Sequence, residues 1–285
     1  MTRMIRQPDG AASVGTGVRS DIGSGAAVRL RSVADPAPDR AASPPRAGRR
    51  VQDNLISFTA ESEFRKLGEA ARSALLDALV VRSYGPNDFI YLQDDDAEHF
   101  YFVRSGHVRL SYLLEEGSAI LCGILPPGES FGELGVFESA THCDTATAVG
   151  QVSLASVSAP VFRALAARHP EIDAAVGRTV ARRYRSYVML TRMLSLKTLA
   201  ARLAQALLRL SDGLGTRMQV AGREVACIGP MVTQTDLGLM ARGARGNVNR
   251  ALKAWERAGW IAIVDRSIAI LNRAKLEGLA FEDGL

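Results

Sequence analysis

From residue 82 to residue 157 the sequence is a succession of short alternating apolar and polar segments, each stopped by turn formers. They read FIYLQ (89–93), HFYFVRSG (99–106), HVRLSYLL (107–114), SAILCGIL (118–125), DTATAVG (144–150) and QVSLASVS (151–158). Gly85-Pro86-Asn87-Asp88, Ser105-Gly106, Glu116-Gly117 and Pro126-Pro127-Gly128 mark the turns between them. Period-two alternation places one face of each segment in a core. Many short strands of this kind predict an antiparallel barrel or roll. Within it lies FGELGVFES (131–139). Its glycines let backbone N–H groups approach a ligand oxygen, and Glu133 can accept from a sugar hydroxyl. By itself such a segment is equally an ordinary turn.

Helical periodicity flanks this region. Phe64, Leu67, Ala71, Leu75, Leu76 and Leu79 predict one helix over residues 61–80. Ser158-Ala159-Pro160 opens a short helix, and His169-Pro170 interrupts it. A long helix over residues 171–194, roughly 36 Å at its standard rise, carries Val176, Val180, Tyr184, Tyr187, Thr191 and Leu194 at spacings of four and three. That stripe predicts a parallel dimer seam, although a helix lying on its own domain gives the same pattern. Residues 195–197 break the pattern. Thr198 caps a helix over 199–210, which ends in Ser211-Asp212-Gly213-Leu214-Gly215.

Residues 230–263 then read as two short helices and a strand. Thr233 caps the first helix, with Asp236 as a shortened capping-box partner. Arg242-Gly243 makes the turn. Val248, Leu252 and Trp255 form the buried side of the second helix, and Gly259 stops it. Two strands around Asp265 and Arg266 look like a wing. Between residues 241 and 275 there are eight Lys or Arg against Glu256 and Asp265 alone, a surface suited to phosphates. A helix-turn-helix presents its second helix to the major groove in this way. The candidate contacts are Thr233, Gln234, Arg245, Gly246, Asn247, Asn249, Arg250 and Lys253.

Composition narrows the remaining options. The 285 residues allow two modest domains, and the net charge of +5 permits an anionic partner. Residues 1–50 hold five prolines, six glycines, nine arginines and no aromatic residue, which predicts a disordered basic arm over 1–52. The arm lacks the apolar run of a secretory signal. No apolar stretch is long enough to predict a membrane span. Three widely spaced cysteines point to a reducing, cytoplasmic setting, and neither they nor the four histidines have metal-ligand spacing. No nucleophile stands in a supported catalytic arrangement, so an enzyme is not expected.

The order of these pieces resembles the Crp/Fnr family of bacterial transcription regulators over residues 55–282. The matching motifs are FGELGVFE (131–138), ARRYRS (181–186), TQTDLGLMA (233–241) and RGNVNRALKAWERAGWI (245–261). The resemblance implies an α+β chain. An antiparallel β-roll (a double-stranded β-helix or jelly-roll) sensor domain would occupy 53–170, a long dimerisation helix and hinge 171–197, and a winged helix-turn-helix 198–285. It also implies a homodimer, double-stranded DNA and RNA polymerase as partners. The family's Ser-Arg-Glu-Thr-Val-x-Arg pattern is here Ala244-Arg245-Gly246-Asn247-Val248-Asn249-Arg250. Both arginines remain, for base readout by Arg245 and a base or phosphate contact by Arg250. Gly246 removes an acceptor for a cytosine amine, and Ala244 removes a hydroxyl. Arg242 stands where the family's turn glycine is usual.

The effector pocket departs further. The implied lining is Gly132, Glu133, Leu134, Asp144, Thr145, Tyr187 and Val188. Where cyclic-AMP-binding members place an Arg-Ser pair, this chain offers Cys143-Asp144 or Asp144-Thr145. An aspartate 4 Å from a cyclic phosphate costs on the order of 4 kcal/mol at an effective dielectric of 20. Tyr187 and Val188 replace the Thr-Ser pair that meets the adenine. The sequence therefore predicts a DNA-binding regulator that does not hold cyclic AMP in the usual mode and needs no cofactor; other cyclic nucleotides and cyclic dinucleotides stay open as effectors. The alternative is a small-molecule sensor acting through protein partners.

Overall fold

The computed structural model describes residues 56, 58, 62–138 and 140–282; the arm expected over 1–52 lies outside them. A 3-10 turn (Glu63–Lys66) and α1 (Glu69–Asp77) lead into β1 (Val80–Tyr84), β2 (Phe89–Tyr91), β3 (His99–Leu113), β4 (Ala119–Leu125) and β5 (Ser130–Phe131). Next come α2 (Glu133–Glu138), β6 (Thr145–Ser158), α3 (Ala159–Arg168) and α4 (Pro170–Leu194). The C-terminal part runs α5 (Leu199–Leu214), β7 (Arg217–Val220), β8 (Arg223–Ile228), α6 (Gln234–Ala241), α7 (Arg245–Arg257), β9 (Ile261–Val264), β10 (Ser267–Ile270) and α8 (Arg273–Glu282). Among the described residues no helix is long and apolar enough to cross a membrane.

The first sheet is antiparallel, ordered β1-β6-β3-β4, with β2 on β6 and β5 on β3, and it does not close into a barrel. Its two central strands are longer than the pattern predicted. Ser105-Gly106 is a bend within β3 rather than a turn, because the register with β6 shifts there and both strands continue. Gly106 has φ +79, and a Cβ on it would meet the Gln151 carbonyl oxygen at 2.3 Å, so only glycine fits this crossing. The helix expected over 61–80 is also divided. Leu67 and Gly68 are both extended, since glycine in a helix interior costs about 1 kcal/mol against alanine. The break leaves Phe64 free to enter an aromatic cluster, edge-on to Phe102 at 5.0 Å between centroids. Val80 pairs with Ser156 and belongs to the sheet.

Elsewhere the local chemistry follows the sequence closely. Thr233 and Asp236 form the reciprocal capping box of α6. Arg242, at φ 49, ends that helix in the left-handed region, and Gly243 follows. A Cβ on Gly238 would meet the Gly243 carbonyl oxygen at 2.5 Å, which is how close this turn folds back on its helix. Asp265 and Arg266, at φ 48 and 65, make the tight turn of the wing hairpin. The second sheet is ordered β7-β8-β10-β9. α5 runs past residue 210 through the polar run. Ser211 is buried and donates its hydroxyl to the Leu208 carbonyl, so it need not break the helix. Gly215, left-handed at φ 60, is the actual stop.

Two apolar cores organise the chain. One packs the 3-10 turn, α1, α3 and the start of α4 against β3 and β6 through Phe64, Phe100, Phe162 and Ile172. The other is continuous from the inner sheet (Leu110, Leu121, Ile124) into α5 and α6 (Leu207, Leu237, Met240). A buried ion pair ties the same two parts together: Arg109 Nη2 lies 2.8 Å from Asp236 Oδ1. The Asp236 carboxylate thus serves the α6 cap through Oδ2 and the sheet through Oδ1.

α4 divides the expected stripe. Val176 is buried in the first core, with Val180 packed against it, while Leu194 packs on the second core. These positions face the helix's own domain. Of the expected stripe, Tyr184 and Thr191 are exposed, and Val188 is exposed beside them.

Candidate functional site

The glycine-bearing segment builds one wall of a pocket. β5 ends at Phe131, Gly132 follows at φ +79, and α2 begins at Glu133. This segment is therefore strand, bend and helix rather than a loop. Glu133 is buried, and Arg183 of α4 meets it, with Nε 3.0 Å from Oε1. Arg183 also donates from Nη2 to the Ser130 carbonyl at 2.7 Å. Burial opposes the charge on Arg183, but the neighbouring Glu133 carboxylate outweighs it and holds the guanidinium above its ordinary pKa.

Asp144 faces this pair from the opposite wall. Tyr91 donates its hydroxyl to Oδ1 at 2.8 Å, and Tyr187 to Oδ2 at 3.3 Å. Burial raises the Asp144 pKa, and the Tyr91 hydrogen bond works against that rise. His142 stacks on Tyr91 at 3.5 Å between centroids, and burial draws its pKa down to about 4, so the ring is neutral at pH 7. These side chains leave a cavity of only about 10 Å³, on the order of one water.

Of the residues expected in the pocket, Gly132, Glu133, Leu134, Asp144 and Tyr187 line it. Thr145 and Val188 do not. Thr145 is buried and accepts from the Gln93 backbone amide at 3.0 Å, while Val188 is 46% exposed. Tyr91, His142 and Arg183 were not foreseen. Arg183 carried a signal: it lies four residues before Tyr187 and so shares its helix face. Tyr91 carried none, because strand pairing alone sets it opposite Ala146, within reach of Asp144.

The second site is α7. Val248, Leu252 and Trp255 are buried beneath it, and Arg245, Gly246, Asn247, Arg250 and Lys253 are exposed along its outer side. Thr233 is exposed at the start of α6. Gln234 and Asn249 are engaged with each other, Nε2 to Oδ1 at 3.2 Å, and fasten α6 to α7. Arg250 donates to Asn247, which orients its guanidinium along the helix. Ala244 occupies the N-cap without a side-chain hydrogen bond. A Cβ on Gly246 would meet nothing within 4 Å. Gly246→Ala is therefore expected to stabilise the chain by about 1 kcal/mol, read as a higher urea midpoint with an unchanged slope.

An antiparallel sheet domain, a long helix and a winged helix-turn-helix with an exposed basic second helix are the architecture of a DNA-binding regulator. Comparisons with known proteins agree. Residues 81–169 match the family described as cyclic nucleotide-binding domain, and residues 201–279 the family described as Crp-like helix-turn-helix domain. The chain is 26% identical over 213 residues to the CRP-like cAMP-activated global transcriptional regulator of Mycobacterium tuberculosis, covering 75% of this chain and 93% of that protein. It is 29% identical over 201 residues to the cyclic AMP receptor protein of Thermus thermophilus, covering 70% and 88%. The structure of FixK2 from Bradyrhizobium japonicum superposes with a TM-score of 0.61 at 26% identity, covering 70% of this chain and 96% of that one. The chain belongs to the Crp/Fnr family of bacterial transcription regulators.

Proposed function

We propose that the protein is a cytoplasmic, homodimeric, sequence-specific regulator whose sensor does not take cyclic AMP in the usual way. In this reading residues 53–170 sense, 171–197 dimerise and transmit, and 198–285 bind double-stranded DNA and act on RNA polymerase. It carries out no catalysis. The exposed row of Arg245, Asn247, Arg250 and Lys253 carries the DNA-binding half. The two arginines match base edges with forked donors, Asn247 offers an amide and Lys253 suits a phosphate, a combination a mere docking surface would not need. The exposed Tyr184, Val188 and Met189, at 68%, 46% and 56%, supply apolar area for a partner's α4, in a seam rotated from the sequence-based one.

The relatives named above are cAMP-activated or cyclic AMP receptor proteins by name. In this reading the pocket beside Gly132 and Glu133, at about 10 Å³, is too small for a nucleotide. Asp144 sits where an anionic phosphate would need a cation, its oxygens already accept from Tyr91 and Tyr187, and Arg183 is held by Glu133. A cyclic nucleotide would have to displace these contacts and face a carboxylate, so the residues present do not fit it.

The test is a gel shift of the full chain on promoter fragments, with calorimetry alongside. A shift at low salt that weakens linearly in log affinity with log salt is expected, unchanged by cyclic AMP. No shift at low salt would remove the regulator reading, and micromolar cyclic AMP binding would remove the pocket reading.

A further inference from the structure

A larger cavity, about 190 Å³, lies between β4, α4 and α5, next to the filled pocket but on the side of the DNA-binding half. Its cations differ in one respect. Arg182 is held by both oxygens of Glu129, at 3.1 and 2.9 Å, and Arg183 by Glu133. Arg209 of α5 has no such partner. Its Nη2 donates to the Cys122 carbonyl at 3.1 Å and to Ser186 Oγ at 2.6 Å, while its Nη1 is buried with no hydrogen-bond partner. Burial lowers its pKa without removing the charge at pH 7. A part-buried guanidinium with no carboxylate beside it leaves this wall of the cavity positive, and an incoming anion would be attracted to it.

The rest of the cavity describes the anion. Leu110, Leu125, Leu214 and Met240 give it apolar walls. One cation without a carboxylate partner suits a monoanion, and the Glu129 carboxylate in the lining disfavours a phosphate dianion more than a single negative charge. Allowing about 10–15 Å³ per water-sized position, the space holds on the order of a dozen of them. We infer that this cavity is a binding site for a small amphipathic carboxylate, its head on Arg209 and Ser186 and its apolar body against Leu110, Leu214 and Met240. Because the walls come from the sheet, α4, α5 and α6, the ligand bridges the sensor and the DNA-reading half. Calling it an effector rests on the regulator reading; its binding does not.

Octanoate is the probe, titrated calorimetrically into the full-length protein, with 1-octanol as the neutral arm and inorganic phosphate as the anion without a body. Saturable one-to-one octanoate binding is expected, at least tenfold tighter than octanol and than phosphate. Arg209→Met should lose that preference. Gly213 lines the cavity with nothing within 4 Å of its would-be Cβ, so Gly213→Leu should block octanoate while leaving the far-ultraviolet circular dichroism unchanged. Three results would each overturn the site: no saturable octanoate binding to the folded wild type, tighter binding of phosphate, or undiminished octanoate binding by the Gly213→Leu variant. The DNA shift is run separately, so losing the carboxylate site and losing the regulator reading are distinguishable.

Discussion

Arg183→Ala is expected to destabilise the chain by about 3–5 kcal/mol, the cost of leaving a buried carboxylate without its cation. Glu133 is 3% exposed at its side chain, and Arg183, at 14%, is the cation that salt-bridges it. Removing the guanidinium also releases the Ser130 carbonyl from its 2.7 Å hydrogen bond. Urea denaturation followed by circular dichroism would measure the loss. The double variant Arg183→Met with Glu133→Leu should recover most of it, because replacing both charges by apolar groups removes the desolvation penalty along with the attraction. A loss below about 1 kcal/mol in the single variant would mean that water already screens this pair, as it does exposed pairs.

The second large effect lies at α7. Arg245→Ala and Arg250→Ala should each weaken binding to a selected DNA site by about 1–3 kcal/mol per half-site. In the proposed dimer each change is made twice, so the loss should reach on the order of thirtyfold or more. Arg245→Lys should not restore it, because an ammonium cannot present two parallel donors to a guanine. Lys253→Ala should weaken binding uniformly across sequences and flatten the salt dependence by about one phosphate contact per protomer. Full affinity in the Arg245 variant would move base readout elsewhere on the helix.

Both effects involve residues the sequence exposed unequally. The reading helix was legible because it is a local object. Val248, Leu252 and Trp255 recur on one side, so the charged residues between them are forced outward. Thr233 and Asp236 lie within one helical turn, and their reciprocal cap follows from their chemistry. The wing turn at Asp265 and Arg266 was legible for the same reason. The paired arginine of Glu133 was harder to see. It required knowing that the Arg183 face of α4, fifty residues later, lies over α2. Asn249 looked like a base contact from its position, but a hydrogen bond from Gln234 on the neighbouring helix turns it inward.

The dimer stripe shows how far periodicity reaches. Spacings of four and three place Val176, Val180 and Leu194 on an apolar side of α4, and that much is correct. Periodicity does not say which apolar surface that side meets. Here the protein's own two cores claim these residues, and Tyr184, Val188 and Met189 remain outside.

The sequence by itself determined the order of the main strands and helices, the caps of α5 and α6, the wing turn, and the outward chemistry of the DNA-reading helix. All of these depend on neighbours within a turn or a hairpin. The tertiary structure alone decided three things: that Asp144 is satisfied by Tyr91 and Tyr187, that Arg209 is part-buried beside no carboxylate, and that β4 lies against α5 and α6. Each depends on groups dozens of residues apart, where a charge's partner is set by how sheets and helices pack and not by spacing along the chain.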